Sequence, residues 1–143
     1  MATSNKPRRI VIDTNIIVSS IVYGGIPKRV VSLVIDEVVE GITSPVLQAE
    51  LIDVLSKKFL FSIQKLTQAE TLIDESFTTV QPTHTISILE DDDDNRVLEA
   101  AITGHCDYIV TGDQDLLQLK NYKGIYIVTA KQFIETDGYA IIS

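Results

Sequence analysis

The stretch Arg8–Ser20, RRIVIDTNIIVSS, decides the fold. Ile10, Val11 and Ile12 are consecutive β-branched residues, the pattern of a strand covered on both faces in a parallel sheet. Asp13-Thr14-Asn15 breaks that run and places a carboxylate where the strand stops. In open α/β sheets ligands bind in the crevice beyond the carboxyl ends of the strands, which makes Asp13 a candidate site residue. Asp is also a common N-cap, so capping of a segment that begins at Asn15 or Ile16 is the competing role.

The chain has 143 residues, the size of one domain spanning 1–143 and enough to bury roughly two-thirds of the surface of its unfolded chain. Hydrophobic residues make up 45% and aromatics 6%, with no Trp, so the expected core is Ile, Val, Leu and Ala, as suits α/β layers. Cys106 stands alone, which excludes a disulfide framework within the monomer and reads as a small buried hydrophobe. Met1–Arg9 is basic but runs into a strand-like segment, unlike a secretory signal or a spanning helix, and the chain reads as soluble, cytoplasmic and without a membrane role. A net charge of −8 argues against binding nucleic acid through a general basic surface. It does not argue against a nuclease, because divalent cations at the acids would reverse the local sign.

Further along, Pro27–Glu40 carries Val30, Val31, Leu33, Val34, Val38 and Val39 at mixed 3–4 spacing and predicts a mostly buried helix stopped at Gly41. Ser44-Pro45 opens a second helix through about Lys58. In it Glu50 falls inside the apolar arc bounded by Val46 and Val54, where a carboxylate points inward and requires a cation or hydrogen bonds. Thr67-Gln68-Ala69-Glu70 reads as a capping box for a third helix towards Phe77, and Thr78–Pro82 as a short strand or extended linker. Asp94-Asn95-Arg96 leads into a helix that Gly104 ends. Tyr108–Val110 is a buried strand terminated by Thr111-Gly112-Asp113-Gln114-Asp115, with a helical turn at Leu116–Leu119. Ile125–Val128 is another strand, and Thr129 caps a final helix to about Thr136. The order β-α-α-α-β-α-β-α-β-α, its fifth element the uncertain strand or linker at Thr78–Pro82, fits a three-layer α/β/α sandwich with a mainly parallel sheet.

Such a sheet brings Asp13, Glu50, Asp94 and Asp113, with Asp115 beside it, to one end. Carboxylates packed together repel one another and take up protons unless cations intervene. Mg²⁺ or Mn²⁺ suits hard oxygen ligands of this kind. His84 and His105 have no metal-ligand spacing, which disfavours zinc. Arg96, Lys28 and Arg29 are candidate phosphate contacts, with plain surface exposure as the competing reading.

At these motifs the chain resembles the PIN-domain family, which includes ribonuclease toxins of bacterial toxin–antitoxin pairs. The resemblance rests on Ile-Val-Ile-Asp-Thr-Asn at 10–15, on Ser44 with Glu50-Leu51 and Val54-Leu55, on Asp94-Asn95-Arg96-Val97 with Ala100-Ala101, and on Tyr108-Ile-Val-Thr-Gly-Asp-Gln-Asp-Leu-Leu at 108–117. It implies that Asp13, Glu50, Asp94 and Asp113 bind metal, with Asp115 as a further acid and Asn15 and Thr111 as polar supports. Within the Asp91–Asp94 run, Asp94 directly before the helix matches better than Asp91. The resemblance further implies Mg²⁺- or Mn²⁺-dependent hydrolysis of RNA to 5′-phosphate and 3′-hydroxyl ends, a small antitoxin partner and a homodimer. The apolar Pro27–Glu40 helix is a candidate dimer or antitoxin surface, with core packing as the favoured competing reading. The alternatives are action on DNA, or a PIN-like protein that binds RNA or antitoxin with little turnover. Two other acid-bearing α/β classes fit less well: a haloacid-dehalogenase-type phosphotransferase has Asp where Asn15 stands, and a receiver domain needs a strand-end Lys, which Lys131 is too late to supply.

Overall fold

The computed structural model describes residues 6–136. Residues 1–5 of the basic N-terminal stretch and 137–143 of the proposed 1–143 domain lie outside that range. The elements run β1 (Arg9–Ile12), α1 (Thr14–Val22), α2 (Gly25–Ile35), β2 (Glu40–Thr43), α3 (Pro45–Lys57), α4 (Ile63–Ser76), β3 (Phe77–Thr79), α5 (Asp92–Thr103), β4 (Tyr108–Val110), α6 (Gln114–Leu119), β5 (Asn121–Tyr122), β6 (Ile125–Val128) and α7 (Ala130–Glu135).

Six strands form one sheet in the order β3-β2-β1-β4-β6-β5, parallel except for the β5–β6 pair. Successive strand residues point to opposite faces, and the two cores divide accordingly. Ile10 and Ile12 of β1, with Tyr108 and Val110 of β4, face a core built with α1, α2, α4 and α7. Val11 and Ile109 face a second core built with α5 and α6, and Leu47 of α3 joins it while Leu51 and Leu55 join the first. This is the three-layer α/β/α sandwich, and it explains why β1 from Ile10 to Ile12 and all of β4 are apolar. Chain order reverses direction between β1 and β4, so the crevice at their carboxyl ends is the topological switch point.

Two local readings are corrected. The Pro27–Glu40 segment is not one helix: α2 stops at Ile35, and Val38 and Val39 lie past it. The stop is a Schellman motif, in which Val38 N–H donates to Leu33 O (2.9 Å) and Glu37 N–H to Val34 O (3.0 Å). The left-handed residue it requires is Glu37 (φ 62°) where Gly is usual, so composition gave no sign of the stop. Gly41, read as that stop, lies instead within β2. Val30, Val31, Leu33 and Val34 are buried in the first core, while Ile35 and Val38 are exposed.

Thr67 does not cap a helix either. Ser62 caps α4, accepting from Lys65 N–H (3.2 Å), and Thr67 lies inside it with its hydroxyl donating to Ile63 O (2.9 Å). At the start, the segment that Asp13 leads into is the helix α1, which begins at Thr14. Among the described residues no single helix is long and apolar enough to cross a membrane; α1 and α2 together pass on length and composition but meet at a 105° bend.

Gly41 reports on the packing of β2. A Cβ there would lie 2.5 Å from Phe77 Cδ2 and 2.7 Å from Val34 Cγ1, closer than real contacts allow. Gly41→Ala is expected to lower stability by about 1–3 kcal/mol through this overpacking. Urea denaturation measures it, and an unchanged midpoint would mean that β2 and β3 are not packed in this way.

Candidate functional site

Asp13 occupies the N-cap position of α1 but makes no side-chain capping bond. Its backbone N–H donates to Val110 O (2.9 Å), carrying the β1–β4 pairing one residue past the strand. Its Oδ2 accepts from the hydroxyl of Thr111 at 2.6 Å. Thr111 is fully buried, and its Oγ1 in turn accepts from Asp113 N–H at 3.0 Å. That second bond occupies a hydroxyl lone pair and leaves the hydroxyl proton directed at Asp13. The side chain of Asp13 is thus engaged with Thr111 and makes no capping bond to α1.

Asp113 caps the short helix α6, its Oδ1 accepting from Asp115 N–H (2.9 Å) and Leu116 N–H (3.2 Å). One carboxylate oxygen is thereby fixed. Ligand oxygens of Asp94, Asp113 and Asp115 all lie within 4.8 Å of one another.

The third contribution comes from α5, whose first turn carries Asp92, Asp93 and Asp94, with Asp91 as N-cap accepting from Asp93 N–H (2.9 Å). Acids are favoured there by the helix dipole. Asp94 stands in the first turn and not before the helix as expected. It is buried, and its Oδ2 accepts no hydrogen bond. Glu50 in α3 is half-buried as its position in the arc requires, although Val46, taken as one edge of that arc, is 52% exposed.

The electrostatics show which acids share the site. Burial pushes Asp94 up to about 7, and Asp113, Asp91 and Asp13 push it further the same way. Glu50 is also pushed up to about 7, first by burial, with Asp93 and Asp13 adding to it and a hydrogen bond from Thr14 opposing. Asp13 is raised by burial, with the Thr111 hydroxyl opposing and Asp113 and Asp93 reinforcing. Asp13 and Asp94 thus each feel Asp113, Glu50 joins through Asp13 and Asp93, and Asp115 adjoins Asp94 and Asp113.

Asn15 is not joined to the acids: it is exposed and lines an open depression of about 550 Å³ with Ile16, Ser19, Gly112, Asp113, Gln114 and Asp115. Arg96 does not reach out to phosphate; its Nη2 pairs with Glu99 (3.0 Å) and donates to Ile86 O (3.1 Å). Lys28 is exposed, and so are both histidines. Cys106 is buried, and burial pushes its thiol up to about 12, leaving it inert. The residue missed in the sequence is Asp93, beside Glu50. The Asp91–Asp94 run offered it, but helical phase alone does not say which members of an acidic first turn face the sheet.

Residues 9–115 match the model of the PIN domain, and the chain belongs to this family. It is also 26% identical over 140 residues to an uncharacterised protein of Methanocaldococcus jannaschii, MJ1680, covering 89% of this chain and 90% of that one. PIN domains are typically divalent-metal-dependent nucleases, and the residues present fit such an ion: the donors are all hard carboxylate oxygens, and the buried Asp94 Oδ2 lacks any other partner.

A pH dependence follows. Folded Glu50 and Asp94 hold protons up to about 7, whereas their ordinary values are 4.5 and 3.8. Between those limits the native state binds more protons than the unfolded one. The stability these two groups contribute is therefore complete below the ordinary carboxylate range and is lost as pH rises through about 7. The melting temperature of metal-free protein should show this fall between about pH 5 and pH 8, and saturating Mg²⁺, binding only the folded cluster, should raise it most at the upper end. Asp94→Asn should flatten the slope; an unchanged slope in that variant would remove Asp94 from the cluster.

Proposed function

We propose that this protein is a Mg²⁺- or Mn²⁺-dependent endoribonuclease acting as the toxin of a toxin–antitoxin pair, working as a homodimer and held in check by a small antitoxin protein. The observation that carries the nuclease reading is the convergence of Asp13, Asp94 and Asp113 at the switch point with a buried carboxylate oxygen that no donor satisfies. RNA as the substrate, the toxin role and both protein partners are supported by the sequence resemblance to the toxin ribonucleases.

In this reading Asp13, Glu50, Asp94, Asp113 and Asp115 hold the ion. When bound, it supplies Lewis acidity, which acidifies water and offsets charge on the scissile phosphate. The chain contributes orientation. Thr111 aims its proton at Asp13 and receives the backbone of Asp113, so the acids of two strand ends are set relative to each other by one side chain. The depression beside Asp113 and Asp115, walled by Asn15, Ser19 and Gln114, takes the RNA strand next to the cleaved bond.

The test is cleavage of single-stranded RNA with and without Mn²⁺, with single-stranded DNA in parallel. Metal-dependent RNA cleavage is expected in the native protein. Asp94→Asn and Asp13→Asn should each lose more than the ~100-fold typical of removing a residue that only orients a metal ligand. Equal cleavage by native protein and both variants would contradict the assignment.

A further inference from the structure

Residues 80–91 cross from β3 to α5 without regular secondary structure, and their main-chain polar groups require partners. At two residues the partners are side chains of α5 alone. Ile86 N–H donates to Glu99 Oε2 (2.8 Å), and Ile86 O accepts from Arg96 Nη2 (3.1 Å). Leu89 N–H donates to Asn95 Oδ1 (3.0 Å), and Leu89 O accepts from Asn95 Nδ2 (2.8 Å). Asn95 is fully buried and Glu99 nearly so, with Arg96 ion-paired to Glu99 at 3.0 Å. Burying Asn95 and Glu99 is costly unless their polar atoms are satisfied, and here the satisfaction goes into holding one loop, with the half-buried Arg96 bridging Glu99 and Ile86 O.

The grip closes a ring around the acids. Asn95 holds Leu89 by its side chain while its own N–H donates to Asp91 O (3.3 Å), and Asp94 N–H donates to the same carbonyl (3.1 Å). Asp92, Asp93 and Asp94 lie inside the segment so closed. These adjacent like charges favour splaying of the turn, and Asp94 Oδ2 has no donor to keep it in place. Asp13 and Asp113, by contrast, are each tied through the carboxylate. Apart from a carboxyl–carboxyl contact with Asp113, the placement of Asp94 therefore comes from its backbone.

We propose that Asn95, seconded by the Arg96–Glu99 pair, is a positioning residue for the Asp93–Asp94 turn, setting metal affinity by clamping the 86–89 segment without touching the ion. The inference rests on the reading of these acids as metal ligands.

The experiment measures Mn²⁺ affinity from the electron paramagnetic resonance signal of free Mn²⁺, in native protein, Asn95→Ala, Glu99→Gln and Ile73→Ala. Ile73 is buried in the other core and serves as the control for lost stability. Asn95→Ala should weaken Mn²⁺ binding about tenfold or more, the effect expected when a group that orients a ligand is lost. Amide exchange at Leu89 should quicken. The Mn²⁺ needed for half-maximal cleavage should rise while the rate at saturating Mn²⁺ stays close to native. Glu99→Gln keeps an acceptor for Ile86 N–H but loses the ion pair, and should weaken binding less in the same direction; it carries the test if Asn95→Ala does not fold. Ile73→Ala should bind Mn²⁺ as the native protein does despite its lower melting temperature. Native affinity in the folded clamp variants, or an equal loss in Ile73→Ala, overturns the clamp and leaves the metal site standing. No Mn²⁺ binding by the native protein overturns both.

Discussion

The constraint on which this structure turns is the crowding of carboxylates at the carboxyl ends of β1 and β4. Burial raises the proton affinity of Asp13, Glu50 and Asp94, and neighbouring carboxylates add to the effect. A fold stable only for itself would not gather them. The architecture tolerates the arrangement because helix N-termini point at it: Asp13 leads into α1, Asp113 into α6, and Asp91–Asp94 open α5. Backbone N–H groups and helix dipoles offset part of the negative charge. Glu50 has no such support in the body of α3, where burial first and then Asp93 and Asp13 raise it to about 7.

The site is rigid where hydrogen bonds join distant segments. Thr111 links the ends of β1 and β4 through a single hydroxyl that donates to one acid and accepts from the backbone of another. Asn95, Arg96 and Glu99 perform the comparable task for α5 by holding the loop that enters it. Ligand positions on different elements are thus set by neighbouring polar groups, the usual way a protein fixes a metal site within small tolerances.

Much of this was legible in the residues. β1 and β4 announce themselves because interior parallel strands must be apolar on both faces, and the acids that end them follow at once; β6 is legible from its β-branched residues although its Tyr126 is exposed. Glu50 was legible from helical phase, being a charge inside an apolar arc. What stayed hidden depended on tertiary contacts. Glu40-Gly41 does not look like a strand, and Gly41 is required there because Phe77 and Val34 fill the space beside it. Glu37 takes the left-handed position that normally advertises a helix end by glycine. Thr67 had the right spacing for a capping box, but Ser62 begins the helix one turn earlier. Asn95 and Glu99 read as ordinary helix residues until the loop they hold is in view, and Asp93 cannot be told from its neighbours by spacing alone.

The most direct measurement is a crystal structure of the protein soaked in Mn²⁺, with data collected so that manganese scatters anomalously. The account requires a peak in contact with carboxylate oxygens of Asp94 and Asp113, at the place where the buried Oδ2 of Asp94 now has no partner. A protein that cleaves RNA with Mn²⁺ yet shows no manganese at those residues, or holds it elsewhere, would contradict the central claim.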